Sequence, residues 1–121
     1  MVGGGMAIGS HGHTHEILSR LTDSDQAREL ETSRSILQEK LAVTIEALSY
    51  PVGLPESFSD FTQDAAEKAG YRIAFSFYGG LNWPNVTKRY NVLRHGAVFG
   101  RSMARYRLQT ALAAVSGSYW F

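Results

Sequence analysis

The chain has 121 residues, 44% of them hydrophobic, which suits a single globular domain over residues 1–121 with a core of its own. Twelve Lys and Arg against eleven Asp and Glu leave a net charge of +1, with no block of like charge to track a phosphate backbone, which argues against nucleic acid as a partner. No apolar run nears the roughly 18 residues of a membrane span, no leader-like segment opens the chain, and without cysteine any metal must be held by His, Asp or Glu. As written the sequence reads as cytoplasmic, with the compartment otherwise open.

In chain order, "MAIGSHG" reads as a brief strand running into a loop, which puts "GSHGHTH", residues 9–15, at a strand's carboxyl end. A helix follows, started by a capping-box-like Thr22 and Asp25, with Ala27, Leu30, Leu37 and Leu41 on one face. Ile45 to Tyr50 is a β-branched, apolar run ended by Pro51, hence a buried strand. A second helix runs from a Ser cap at Ser57 or Ser59 to Ala69, stopped by Gly70. "YRIAFSF" gives a third strand, "YGGLNWPNVTKRYN" a polar-aromatic loop, "VLRHGAVF" a further short strand, and Ser102 to Val115 a last helix. Its expected buried stripe is Ala104, Leu108, Ala111, Leu112 and Val115. "SGSYWF" reads as a frayed tail.

Alternating strands and helices with short connections imply a parallel α/β architecture. Three or four parallel strands leave an edge uncovered. The expectation is that a preceding β-α unit is missing, or that another copy completes the sheet as a homo-oligomer.

The histidines carry the chemistry. His11 and His15 are four apart and share a face if the loop coils into a helical turn, where two imidazoles can hold one ion. If the stretch is extended, His11, His13 and His15 all face one side. A polar loop with locally bonded histidines is the plain alternative, and spacing does not choose among these. The position after a strand is where α/β folds place their sites.

Taken together, "GMAIGSHGHTHEILSRLT", "IEALSYPVG" and "AAEKAGYRIAFS" resemble the polysaccharide deacetylases, the NodB-like carbohydrate esterase family 4, over roughly Gly5 to Ser76. The resemblance implies a distorted (β/α) barrel, here partial and lacking its N-terminal β-α unit or units, that hydrolyses acetyl groups on N-acetylated oligo- or polysaccharides with a divalent metal, usually zinc. The family's His-[Ser/Thr]-x-x-His motif maps its two metal ligands onto His11 and His15. Gly12 stands where that motif has a hydroxyl residue, and Thr14 is the candidate substitute. The Arg-x-Pro-aromatic motif corresponds to Ser49-Tyr50-Pro51-Val52, without the arginine, so a substrate-groove role carries over only to Tyr50 and Pro51. Leu93-Arg94-His95 matches a Leu-x-His motif that supplies a catalytic histidine, which makes His95 a candidate acid, the alternative being a surface histidine.

The family's Thr-Phe-Asp-Asp motif, source of the base and of a third metal ligand, has no counterpart in these 121 residues. Glu16, Asp60 and Asp64 are the acids to weigh as substitutes, Asp60 and Asp64 reading more simply as acids near a helix amino terminus. Three functions follow: a metal-dependent deacetylase whose missing acids come from elsewhere; a truncated, non-catalytic remnant that binds sugar or metal; and an α/β interaction module that buries its open edge between subunits. In the loop after the third strand, Tyr78 and Trp83 are candidates either to stack on sugar rings or to be buried.

Overall fold

The structure, a computed structural model, describes residues 2–85, 87–96 and 102–116, with the backbone alone for residues 109, 110 and 112–116. Helix α1, Asp23–Leu41, is followed by strand β1, Ala47–Ser49, helix α2, Asp60–Lys68, strand β2, Ile73–Phe75, and helix α3, Met103–Ser116. Short 3₁₀ turns occupy Val2–Gly4, Leu18–Arg20 and Pro55–Ser57.

β1 and β2 pair in parallel, Leu48 opposite Ala74. Two flanking segments extend this pair through parallel bridges, Ser10 to Leu48 on one side and Val92 to Phe75 on the other. Backbone bonds Ser10 N–H to Ala47 O and Ser49 N–H to Ser10 O fix the first, and Val92 N–H to Ala74 O and Ser76 N–H to Val92 O fix the second. Spatial order therefore follows chain order across four segments. Among the described residues the order does not reverse, as the order of a doubly wound sheet does partway. The strands expected over 6–12 and 92–99 are thus present as single bridges, and residues 97–100 lie outside the described residues.

Because strand side chains alternate, the sheet has two unlike faces. Leu48, Tyr50, Ala74 and Ser76 are buried, and Leu48, Tyr50 and Ala74 form the core with Leu18, Leu30, Ile45, Ala66 and Tyr71. Ala7, Gly9, His11, Ala47, Ser49, Phe75 and Phe77 face the other way and line an open cavity of 760 Å³.

The helices form where local chemistry caps them. Thr22 accepts the Asp25 N–H at the start of α1, and Ser59 and Thr62 make a reciprocal capping box on α2. The buried positions of α1 are Gln26, Leu30 and Ser33, with Leu37 and Leu41 packed at the margin. Two of the three are polar, and each has a partner: the Thr62 hydroxyl donates to Gln26 Oε1 at 2.6 Å, and Ser33 bonds Ser10 at 2.7 Å. A buried polar atom is tolerated when it is paired in this way. α1 ends with Ala42 in the left-handed region, and α2 is followed by Gly70 at φ +90°, where the Arg34 guanidinium packs so closely that a Cβ would meet it at 3.1 Å.

The stripe expected on the last helix is corrected. Ala104, Leu108 and Ala111 are exposed, Leu108 by 59%, while the side chains of Leu112 and Val115 lie outside the described residues. Helical spacing of apolar residues marks a face, and whether anything covers that face is decided by the rest of the fold.

Candidate active site at the carboxyl edge of the sheet

The histidine loop leaves the sheet just past Ser10. Neither a helical turn nor an extended strand describes it: Gly12 has φ +78° and His15 φ +64°, and residues 13 and 14 form a bend. This folds the loop so that the His11 and His15 rings approach to 4.9 Å between centroids at 67° between planes. A left-handed φ on a histidine is uncommon and is retained where the surroundings hold it.

What holds it is Glu29, on the second turn of α1. One carboxylate oxygen accepts the His13 N–H at 2.9 Å and the Thr14 N–H at 2.8 Å, and the other accepts the Thr14 hydroxyl at 2.8 Å. Burial alone would raise the Glu29 pKa, but the bonds from the Thr14 backbone, the Thr14 hydroxyl and the His13 backbone outweigh it and hold the carboxyl below its ordinary value. The Thr14 hydroxyl thus helps tie the loop to α1. Gly12 is needed for its backbone: besides its positive φ, a Cβ there would lie 3.3 Å from Pro51 Cγ.

His11 Nδ1 lies 2.8 Å from Ser49 O. A carbonyl can only accept, so Nδ1 carries the proton and the neutral ring keeps its lone pair on Nε2. A backbone carbonyl behind one ring nitrogen is the usual support of a metal-binding histidine. Two exposed imidazoles this close fit a shared zinc, whose Zn–N distances are about 2.0–2.1 Å. Among the described residues, however, no group of three His, Asp or Glu side chains is placed to hold an ion. Glu16 and His13 lie together on the wall of a separate, smaller cavity beside α1, Asp60 accepts from Gln63 Nε2 at 3.1 Å, and Asp60 and Asp64 are both exposed on α2.

Tyr50 and Pro51 are brought close to the loop but are buried. The Tyr50 ring stacks on Phe58 at 4.2 Å and its hydroxyl donates to Tyr90 O, while burial, then Tyr90, raises its pKa. Pro51 packs on Gly12. His95 is exposed, its Nε2 2.8 Å from Gly80 O, and the cavity wall is lined instead by its neighbour Arg94. Arg94 Nη2 donates to Ser49 Oγ at 2.6 Å and its Nε to Ser76 O at 3.0 Å. Sequence reasoning singled out neither Glu29 nor Arg94. Glu29 looks like any acid on a solvated helix face, and only its partners 15 and 16 residues earlier distinguish it. Of the two loop aromatics, Tyr78 is buried with its hydroxyl donating to Asn91 Oδ1, and Trp83 is 56% exposed.

The polysaccharide deacetylase family model matches residues 1–74, and the chain belongs to that family. Among solved structures, the chain is similar to a polysaccharide deacetylase from Bacillus cereus, with 19% identity, a TM-score of 0.76, and coverage of 88% of this chain and 33% of that one. It is similar also to the deacetylase PplD of Streptococcus pyogenes, solved with acetate, with 22% identity, a TM-score of 0.73, and coverage of 84% and 43%. IcaB from Ammonifex degensii matches with 19% identity, a TM-score of 0.68, and coverage of 93% and 49%. At these identities the likeness is one of fold. The chain spans less than half the length of each of these structures. No curated protein matches it significantly.

Proposed function

We propose that the chain is part of a metal-dependent deacetylase that hydrolyses acetyl groups on N-acetylated oligo- or polysaccharides, with His11 and His15 as two of the metal ligands. The observation that carries this reading is the His11–His15 pair at the carboxyl edge of the sheet, with Nδ1 of His11 committed to Ser49 O and Nε2 left free. Zinc, if held by His11 and His15, would supply a Lewis acid and an activated water for the hydrolysis. The chain's own residues orient the pair: Ser49 O sets the His11 tautomer, Glu29 and Gly12 shape the loop, and Pro51 backs it. The consecutive four-segment sheet, helical on one face and open on the other, supports a partial (β/α) barrel whose inner face is the cavity side.

A catalytic zinc takes three protein ligands, and the described residues offer two. That observation favours a second reading, in which these 121 residues bind metal or sugar without turnover. The experiment is to measure zinc stoichiometry together with acetate release from N-acetylglucosamine oligomers. One zinc per chain, lost in a His11→Ala, His15→Ala variant, together with acetate release supports the catalytic reading. Bound zinc without acetate release leaves the binding reading, and no zinc and no acetate removes the catalytic reading and the metal-binding form of the second.

A further inference from the structure

The sheet holds the root of the histidine loop through the bridge from Ser10 to Leu48, in which Ser10 N–H donates to Ala47 O and Ser10 O accepts from Ser49 N–H. Ser49 also holds the next residue, because its carbonyl takes the Nδ1 proton of His11 at 2.8 Å. Where Ser10 sits therefore decides whether that bond forms, and with it which nitrogen His11 presents. A second hold on Ser10 comes from α1. Ser10 Oγ lies 2.7 Å from Ser33 Oγ, and at 2% and 6% exposure neither hydroxyl can turn to water instead. The buried Tyr71 phenol closes the pair off and donates to Leu30 O at 2.9 Å. Burial raises the Tyr71 pKa, and the Ser10 hydroxyl, the Arg34 charge and the Ser33 hydroxyl act against that rise. Ser33 follows Glu29 by four residues, which puts both on one face of the helix. Glu29 bonds residues 13 and 14 and Ser33 bonds residue 10, so this face grips the loop on both sides of His11.

We propose that Ser33 is a positioning residue for His11: through Ser10 it fixes the root of the loop, so that α1 sets the geometry of the histidine pair. The inference rests on the reading of His11 as a metal ligand, while the effect on the His11 ring itself needs no metal. It is tested in the 121-residue chain with Ser33→Ala and with a Ser10→Ala, Ser33→Ala double variant. Thr62→Val, which breaks the buried bond of α2 to Gln26, controls for general destabilisation. Folding and stability are followed by circular dichroism in urea. Two further readouts are taken: the His11 ring tautomer, from long-range nitrogen–proton NMR of the metal-free chain with its imidazoles neutral, and cobalt affinity, from absorbance.

Ser33→Ala lowers stability, because a buried hydroxyl loses its partner, and the double variant regains part of it, because neither half of the pair remains. Cobalt affinity does not recover with stability. It is about fivefold below wild type in both variants, the loss expected when one hydrogen bond no longer fixes a ligand. In both, His11 changes from the Nδ1–H form to a mixture of tautomers, whereas Thr62→Val keeps the wild-type ring resonances and affinity. A folded variant of Ser33 that keeps wild-type cobalt affinity or wild-type His11 resonances overturns the proposal, as does an equal loss in Thr62→Val. If Ser33→Ala does not fold, the double variant decides alone. If the wild-type chain binds no cobalt, the metal reading fails, and the His11 resonances decide the positioning role by themselves.

Discussion

Ser49 O accepts the Nδ1 proton of His11 across 38 residues of sequence, at 2.8 Å, and this one bond decides which nitrogen of His11 faces outward as a lone pair. The pair His11 and His15 should behave as a unit toward metal as a result. Removing either ring with alanine is expected to weaken zinc or cobalt binding by about tenfold or more, because a lone imidazole is a poor site. His13→Ala and His95→Ala should leave it unchanged. Cobalt absorbance titrations read all four, and equal losses at His11 and His13 would refute the pairing.

Glu29 gives the loop its shape through three hydrogen bonds, all to the ionised carboxylate. Glu29→Gln keeps the size but removes the charge and replaces one acceptor oxygen with a donor; the expected loss of stability is about 1–2 kcal/mol. Metal affinity should fall with it, since the loop is no longer held. Urea unfolding at neutral pH checks the first and cobalt titration the second.

The pH dependence follows from the sign of the Glu29 shift. Its folded pKa lies below the ordinary 4.5, so the unfolded chain binds the proton more readily. The contribution is complete well above pH 4.5 and is lost as the pH falls through the folded value. In Glu29→Gln this part of the acid limb should be missing, so wild-type and variant stabilities converge toward low pH. A difference that stays constant from neutral to acid pH would contradict the assignment.

Gly12→Ser would restore the hydroxyl of the resembling motif. Here it is expected to destabilise by about 1–2 kcal/mol, because φ +78° is unfavourable for any residue with a Cβ and because that atom would press on Pro51 at 3.3 Å. Thermal unfolding decides it, and a stability gain would mean that the loop can adopt another shape.

Between α1 and α2, Thr62→Val leaves the buried Gln26 Oε1 without its donor at an expected cost of about 1–3 kcal/mol. Gln26→Leu combined with Thr62→Val removes both partners and should cost less than the two single changes added. A double-mutant cycle measures the coupling, and strict additivity would show that the bond contributes nothing.

Much of the fold was legible because it is written in local chemistry. Thr22 and Ser59 announce their helices, Pro51 ends its strand, and Gly70 follows its helix at φ +90°, all through bonds or dihedrals within a few residues. The strand-end position of the histidines was legible for the same reason. Illegible were the polar members of the core, since Gln26 and Ser33 look like surface residues until Thr62 and Ser10 are brought against them. The exposed Leu108 stripe went astray for the converse reason, that apolar periodicity does not name a partner.

The sequence by itself determined the order of elements, their caps and the presence of two histidines four residues apart after a strand. Which nitrogen His11 presents, that Glu29 clamps the histidine loop and that Arg94 rather than His95 reaches the cavity were decided only by the tertiary structure. The physical reason is range: a cap acts over three or four residues, whereas Ser49 reaches His11 from 38 residues away and Arg94 reaches Ser49 from 45. Contacts of that separation exist only once the parallel sheet has set its register.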